Sequence, residues 1–445
     1  MKHLLFLLLG LSLSAQAQLI LPERQRAEVV DQILKERFEE LLPELMDRTG
    51  IDMWVLISRE YNEDPVLKNM LPATWLNARR RTIILFFRNA QENTLDKLAV
   101  ARYNFGENIQ SAWDKDRQPN QWLRLMELIE ERNPKSIGLN FSDHFNIADG
   151  LDHTDFKMFM DYLPKKFQNR VVSAQPLATA WIESRTEREM AIYSHLVNIT
   201  HDIIAEAFSE KVITPGITTT TDVEWWMRDK VTRLGLETWF HPSVDIQRSH
   251  EVVGDHLYAF SNRPQENVIL PGDLVHCDFG ITYLRLNTDC QELVYVLKPF
   301  ETKAPEFLTQ ALAKGNRLQD LLTDNFRLGD SGNNILRNTL DQAKAEGLRP
   351  SVYTHPLGSY GHSSGPTIGM WDAQDGVPEN GDYPLYLNTV YAIELNTTVY
   401  IEAWQRDIRI MLEEAGFFGK DGFRYVSGRQ TNLLTIPRTQ NHLGE

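Results

Sequence analysis

The chain has 445 residues, 42% hydrophobic and 24% charged, which leaves room for two or three domains with buried cores and excludes a disordered or fibrous architecture. A formal net charge of −15, with no run of clustered Lys and Arg, excludes nucleic acid as a partner class. Two cysteines, Cys277 and Cys290, are too few for a disulfide scaffold.

At the N-terminus, Lys2 and His3 precede an apolar run from Leu4 to Leu13, and Ala15-Gln16-Ala17 then supplies a small-x-small cleavage site. The run is about ten residues where a membrane-spanning helix needs about 20. The expectation is a signal peptide over residues 1–17 and a mature protein that is periplasmic or secreted, free of the membrane. Next, Phe38, Leu41, Leu42, Leu45 and Met46 recur at helical spacing, so residues 23–48 are expected as a helix stopped by Gly50. Residues 51–58, 81–88 and 136–141 read as strands and 121–132 as a helix. This alternation predicts an α/β domain with a mixed sheet over residues 18–183. It holds no Gly-rich phosphate loop and no cluster with metal-ligand spacing.

Thr186 and Glu189 form a capping box opening an amphipathic helix with Met190, Tyr193, Leu196, Val197, Ile203 and Ala207 inward, and a second domain, 184–445, is expected to begin here. A further helix follows Pro215-Gly216, with Val223, Trp226, Met227, Val231 and Leu234 on one face and Gly235 as the stop. Strands then dominate, over residues 273–279, 288–297, 389–395 and 407–412, with helices over 303–324 and 331–346. The class is α+β, helices on a curved, largely antiparallel sheet.

Asp278 and Asp289 each lie inside a run of apolar, β-prone residues. Burying an unpaired carboxylate costs on the order of several kcal/mol, so each must be protonated, paired or metal-bound. A hairpin pairing Asp278 with Asp289 would bring them to about 5 Å at Cβ on one face. The one nearby cation, Arg285, falls in the expected turn, which makes a metal the natural partner. His362 in GHSSGPTIG, Glu394 in VYAIEL and Glu413 after IRIML could complete the set. Four carboxylates balance two divalent ions. An oxygen-rich set with one imidazole suits manganese foremost, then cobalt, iron or zinc, and such a pair activates a shared water.

In order and setting these five residues resemble the pita-bread metallopeptidases, the family of methionine aminopeptidase, aminopeptidase P and prolidase. The eleven-residue spacing of Asp278 and Asp289, and Pro271-Gly272-Asp273-Leu274-Val275 before them, carry the likeness. The resemblance implies that Asp278, Asp289, His362, Glu394 and Glu413 hold two metal ions. It also implies that residues 18–183 are a creatinase-type N-terminal domain, that the chain is a homo-dimer, and that the substrate is a peptide or small amide cut between an N-terminal residue and proline. Glu394 or Glu413 would assist proton transfer. His355, standing for a family histidine just before the ligand, would stabilise the oxyanion.

The sequence departs from the family at several positions. A histidine usual seventeen residues before the first aspartate is Ser261 here, with His256 near but out of register. One usual seven residues after the ligand histidine falls on Gly369, and an arginine two before the last glutamate is Met411, with Arg409 two further back. Two rival readings share the same residues: a hydrolase or lyase of a small metabolite on this fold, since one fold hosts several chemistries, and a binding protein that has lost catalysis. Cys277 and Cys290 flank the aspartates symmetrically, so a register that joins the acids joins the thiols. A cross-strand disulfide and two buried free thiols both follow from that. If the leader is cleaved as expected, intact-mass and N-terminal sequencing of exported protein will find Gln18 first; an N-terminus at Met1 in the mature protein would overturn export.

Overall fold

The computed structural model describes residues 20–249 and 267–438. The leader, Ser261 and His256 lie outside the described residues. Helices α1 (Glu23–Glu36) and α2 (Leu42–Thr49) run on through one π turn, Arg37–Leu41, and Gly50 closes them in the left-handed region at φ +70°. The single expected helix is therefore widened at Arg37. That residue is 2% exposed and donates to the Ser184 carbonyl at 2.8 Å and to Glu189 at 2.8 Å, its guanidinium lying over the Trp181 ring.

Strands β1 (Met53–Arg59), β2 (Arg81–Asn89), β3 (Thr94–Ala99), β4 (Gln110–Ser111), β5 (Ile137–Leu139) and β6 (Val171–Ser173) make one mixed sheet in the order β4-β3-β2-β1-β5-β6. The β1–β2 and β2–β3 pairs are antiparallel, whereas β1–β5 and β5–β6 are parallel. Around it lie α3 (Pro65–Met70), α4 (Gln121–Arg132), α5 (His153–Tyr162), α6 (Lys165–Gln168) and α7 (Gln175–Glu183). Both faces are covered. Trp54, Leu56, Ile84 and Phe86 pack with Phe38, Leu45 and Trp181, while Met53, Val55, Ile83 and Leu85 pack with Trp122, Leu125 and Phe159. This is why β1 and β2 read as unbroken apolar runs rather than alternating ones.

The capping box opens α8 (Glu187–Ala207), with Thr186 Oγ1 accepting from Glu189 N and Glu189 accepting from Thr186 N. A second box, Thr219 with Asp222, opens α9 (Thr220–Arg233). The remaining strands are β7 (Ser243–Gln247), β8 (Leu274–Phe279), β9 (Thr282–Tyr283), β10 (Leu286–Asn287), β11 (Cys290–Val296), β12 (Pro350–Val352), β13 (His355–Leu357), β14 (Thr389–Ala392), β15 (Leu395–Ile401), β16 (Arg406–Leu412), β17 (Ala415–Gly419), β18 (Gly422–Tyr425) and β19 (Leu434–Ile436). They form sheets β19-β11-β8-β7, β12-β15-β16 and β13-β14-β17-β18 and the two-stranded β10-β9, antiparallel except for β11 with β19. Helices α8 and α9 cover β8 and β11, and α10 (Glu306–Thr323) and α11 (Gly332–Ala345) cover β15 and β16. Gly315 lets α10 approach closely, since a Cβ there would stand 2.6 Å from Ile410.

Two expectations need correction. The strand expected over 389–395 is two strands, and Glu394 sits in the break between β14 and β15. The hairpin register is displaced by two residues: Asp278 pairs with Gln291, Cys277 with Glu292, and Cys290 with Phe279. The cause is the turn. Leu284 and Arg285 both take positive φ, 52° and 64°, as a two-residue I′-type hairpin turn requires, and the β9–β10 and β8–β11 ladders count outward from that centre. These side chains are unusual for such a turn. Arg285 is held by the Asn69 and Leu71 carbonyls of the N-terminal layer, which offsets the strain. A two-residue offset leaves every side chain on its expected face, so Asp278 and Asp289 still share one. Cys277 and Cys290 are both free, buried thiols rather than a disulfide.

Glu183, the last residue of α7, ties the two halves together: Arg48 lies 3.4 Å away and Tyr383 donates to it at 3.2 Å. Burial, opposed by Arg48, pushes its carboxyl from 4.5 up to about 8. In that window the folded chain holds a proton the unfolded chain has released. Stability contributed by this group is thus full below the unfolded value and is lost as pH rises toward the folded one, at up to about 1.4 kcal/mol per pH unit. Glu183→Gln should flatten that slope, its melting temperature gaining on the wild type steadily from pH 5 to pH 8; a pH-independent difference would contradict the assignment.

Candidate metal centre

Three sheets converge on one point. Asp278 projects from β8 and Asp289 stands immediately before β11, on the same face. Continuing the β15–β16 register, in which Leu395 pairs with Leu412, by one residue places Glu394 opposite Glu413. Gln291 and Glu413 then bridge the sheets, N to O at 3.0 and 3.4 Å. His355 opens β13, which pairs with β14 just before the Glu394 break.

The ring of His355 is oriented by its neighbour. Nδ1 lies 3.0 Å from the Pro356 carbonyl, which can only accept, so Nδ1 carries the proton and Nε2 presents its lone pair. Nε2 stands 3.7 Å from Asp289 Oδ2 and 3.6 Å from Glu413 Oε1, too far to hydrogen-bond either. Asp289 Oδ1, His355 Nε2 and Glu413 Oε1 are buried with no hydrogen-bond partner among the described residues. Burial pushes His355 down to about 4, so the ring is neutral at neutral pH. Desolvation, and then repulsion among themselves and from Asp278, pushes Asp289, Glu394 and Glu413 well above the carboxylate range. A lone pair aimed at buried acids that repel one another fits divalent cations. Among the described residues it fits no ion pair, because Arg285 is turned away into the N-terminal layer.

Sequence reasoning missed a polar chain behind these acids. Gln291 Nε2 donates to Glu394 Oε1 and to Glu413 Oε2, each at 2.8 Å, and its Oε1 meets His276 Nε2 at 2.9 Å. His276 Nδ1 in turn lies 3.8 Å from Asp245 Oδ2 on β7. The signal was present as period-two alternation: His276 and Gln291 each stand two residues from an aspartate and therefore share its face.

His362 is placed differently from the other candidates. It is exposed, its ring edge-on to His355 at 4.8 Å and to Trp239 at 5.2 Å, and it is not among the donor atoms grouped with Asp289 and Glu413. Trp239 is fixed by donating to the Thr288 carbonyl at 2.9 Å and lies so close to the loop that a Cβ on Gly361 would stand 2.4 Å from its ring. Gly369 is buried at φ +74°, and a Cβ there would meet the Val352 carbonyl at 2.3 Å, so no side chain can occupy that position. Met411 is buried in β16, and the Arg409 backbone pairs with the Gln247 side chain at 2.8 Å.

The family model described as metallopeptidase family M24 matches residues 192–415. No curated protein matches the chain. Among solved structures, an X-Pro aminopeptidase from Thermotoga maritima MSB8 is similar at TM-score 0.61 and 16% identity, over 88% of this chain and 99% of that one. An Xaa-Pro dipeptidase from Bacillus anthracis is similar at TM-score 0.54 and 15% identity, over 93% and 100%. A variant of Escherichia coli aminopeptidase P is similar at TM-score 0.57 and 12% identity, over 92% and 96%. These likenesses establish the two-part pita-bread fold.

Removing divalent ions should therefore expose the repulsion. Chelated wild-type protein should melt lower than loaded protein, and an ion at 100 times its Kd should restore about 2.7 kcal/mol. Asp289→Asn should gain far less from the same ion, and equal gains in calorimetry would count against this centre.

Proposed function

Because the chain belongs to metallopeptidase family M24, a family of divalent-metal enzymes, we propose that it is a dinuclear aminopeptidase that hydrolyses the bond between an N-terminal residue and a following proline. The observation that carries this reading is the buried group Asp289, His355 and Glu413, whose inward atoms lack partners among the described residues. Asp278 and Glu394 complete five donors. Likeness to structures titled X-Pro aminopeptidase and Xaa-Pro dipeptidase, over nearly their whole length, favours the proline-directed branch.

In this reading the imidazole ligand is His355 rather than His362. Shifting the frame by seven residues also puts His362 where relatives carry their second histidine, and it frees Gly369 from a role its backbone forbids. When bound, manganese, cobalt or zinc would acidify a shared water and polarise the scissile carbonyl. The chain's own residues do the rest. Glu394 is half-buried, the more open of the two glutamates, and is the group to take a proton and return it to the leaving amine. Gln291, donating to Glu394 and Glu413, holds both carboxylates in place. His362, Trp239 and Tyr353 form an aromatic wall beside His355 where a substrate would lie.

A panel of Xaa-Pro dipeptides, longer Xaa-Pro peptides and non-proline controls, run separately with Mn, Co and Zn, should show cleavage only before proline. Equal turnover of the controls, or none with any metal, would overturn the reading. Glu394→Gln should lower kcat by about 10²- to 10⁴-fold. The histidines separate by metal content: His355→Ala should lose bound metal, whereas His362→Ala should keep it and lose kcat/KM. The reverse result would restore His362 as the ligand.

A further inference from the structure

The sheet that carries the acidic centre has a second cluster of metal-type donors on its reverse. Alternation sends Cys290 and Glu292 of β11 to the side opposite Asp289 and Gln291, and Glu414 to the side opposite Glu413. His201 reaches them from α8. Its Nε2 lies 2.8 Å from Glu414 Oε2, 3.9 Å from Glu292 Oε1 and 3.9 Å from Cys290 Sγ. One donor atom each from His201, Cys290 and Glu414 falls within 4.8 Å of the others.

The bland reading is a hydrogen-bonded His201–Glu414 pair that pins α8 to the sheet. That accounts for two of the four groups. It leaves Glu292 largely buried with its Oε1 3.9 Å from His201 Nε2, with no hydrogen bond to its carboxylate from any described residue, next to a second carboxylate. It also leaves unexplained why the Cys290 thiol, packed in the core beneath the helix, sits with its Sγ 3.9 Å from the same His201 nitrogen. Glu414 is itself positioned, since its other oxygen accepts from Gln430 N at 3.2 Å.

We propose that His201, Cys290 and Glu414, whose donor atoms lie within 4.8 Å of one another, form a separate site for a zinc-like divalent cation, with Glu292, 3.9 Å from the His201 nitrogen, able to swing in as a fourth donor. The sulfur decides the class of ion, because thiolate favours zinc or cobalt and disfavours manganese, magnesium and calcium, whereas the acidic centre contains no sulfur. Loading involves no oxidation: the Cys290 thiol proton leaves to solvent, the proton held between His201 Nε2 and Glu414 passes to solvent or to His201 Nδ1, that hydrogen bond opens, and both atoms turn onto the ion. The side chain of His201 is 22% exposed, which provides an entry path. Cys290 and Glu414 are chain neighbours of Asp289 and Glu413, so an ion here would clamp from behind the backbone that carries two donors of the acidic centre. The inference does not depend on what that centre hydrolyses.

Cobalt distinguishes the two sites in the full-length protein. After stripping and loading with Co(II), the wild type should show a thiolate-to-cobalt charge-transfer band in the near ultraviolet, which the sulfur-free centre cannot produce. The band should persist in Cys277→Ser and vanish in Cys290→Ser. His201→Gln and Glu292→Gln keep the thiol, so each should bind Co(II) at least tenfold more weakly at this band even if Cys290→Ser fails to fold. No band in the wild type, a band surviving Cys290→Ser, or unchanged affinity in both other variants would overturn the proposal.

Discussion

Repulsion among Asp278, Asp289, Glu394 and Glu413, gathered around one imidazole lone pair, is the constraint to which the rest of the catalytic half answers. No single element could hold four acids together, because neighbours along one strand would place like charges side by side without a brace. Instead each acid is delivered by a different piece of backbone, and strand pairing supplies the force. The β8–β11 ladder brings the aspartates, the β15–β16 ladder brings the glutamates, and the Gln291–Glu413 bridge locks one ladder to the other. About a dozen backbone hydrogen bonds in these ladders, each worth about 1 kcal/mol net, outweigh a local repulsion of several. The Gln291 amide relieves part of it by donating to both glutamates.

Much of this was legible in the sequence, and the reasons for what was not are specific. Acids inside apolar strands announced a centre, because burial makes them costly wherever they lie. Helix limits followed from caps: Thr186 with Glu189, and glycines 50 and 235, all sit where their chemistry requires. The hairpin register was not legible, because Leu284 and Arg285 carry no turn signature. Their left-handed conformation is sustained by carbonyls more than two hundred residues away in sequence. Choosing between His355 and His362 was also beyond the sequence. His355 opens β13 and His362 lies seven residues on in the loop that follows; in the proposed reading His355 is favoured by the Pro356 carbonyl that orients its ring and by the crowded backbone at Gly369.

The same contacts show what the N-terminal layer contributes. Arg285 binds the Asn69 and Leu71 carbonyls, and Tyr360, in the loop between the two histidines, donates to the Pro65 carbonyl at 2.8 Å. The turn that sets the aspartate register and the loop that carries His362 are thus both held by residues 65–71. Arg37 and Arg48 add a second seam through Glu189 and Glu183. The layer holds no donors of its own in the centre, yet it fixes the geometry of those that are there.

Alternation in a strand has a final consequence. Because successive residues face opposite ways, a backbone segment made rigid to deliver Asp289 and Glu413 also delivers Cys290 and Glu414, rigidly, to the other side. Precision gained for one face is gained for both. The two faces differ in chemistry: the front is all oxygen with one nitrogen, and the back adds sulfur. Ions of different softness would therefore divide unequally between them, and whatever occupies the back would stiffen the strand ends on which the front depends.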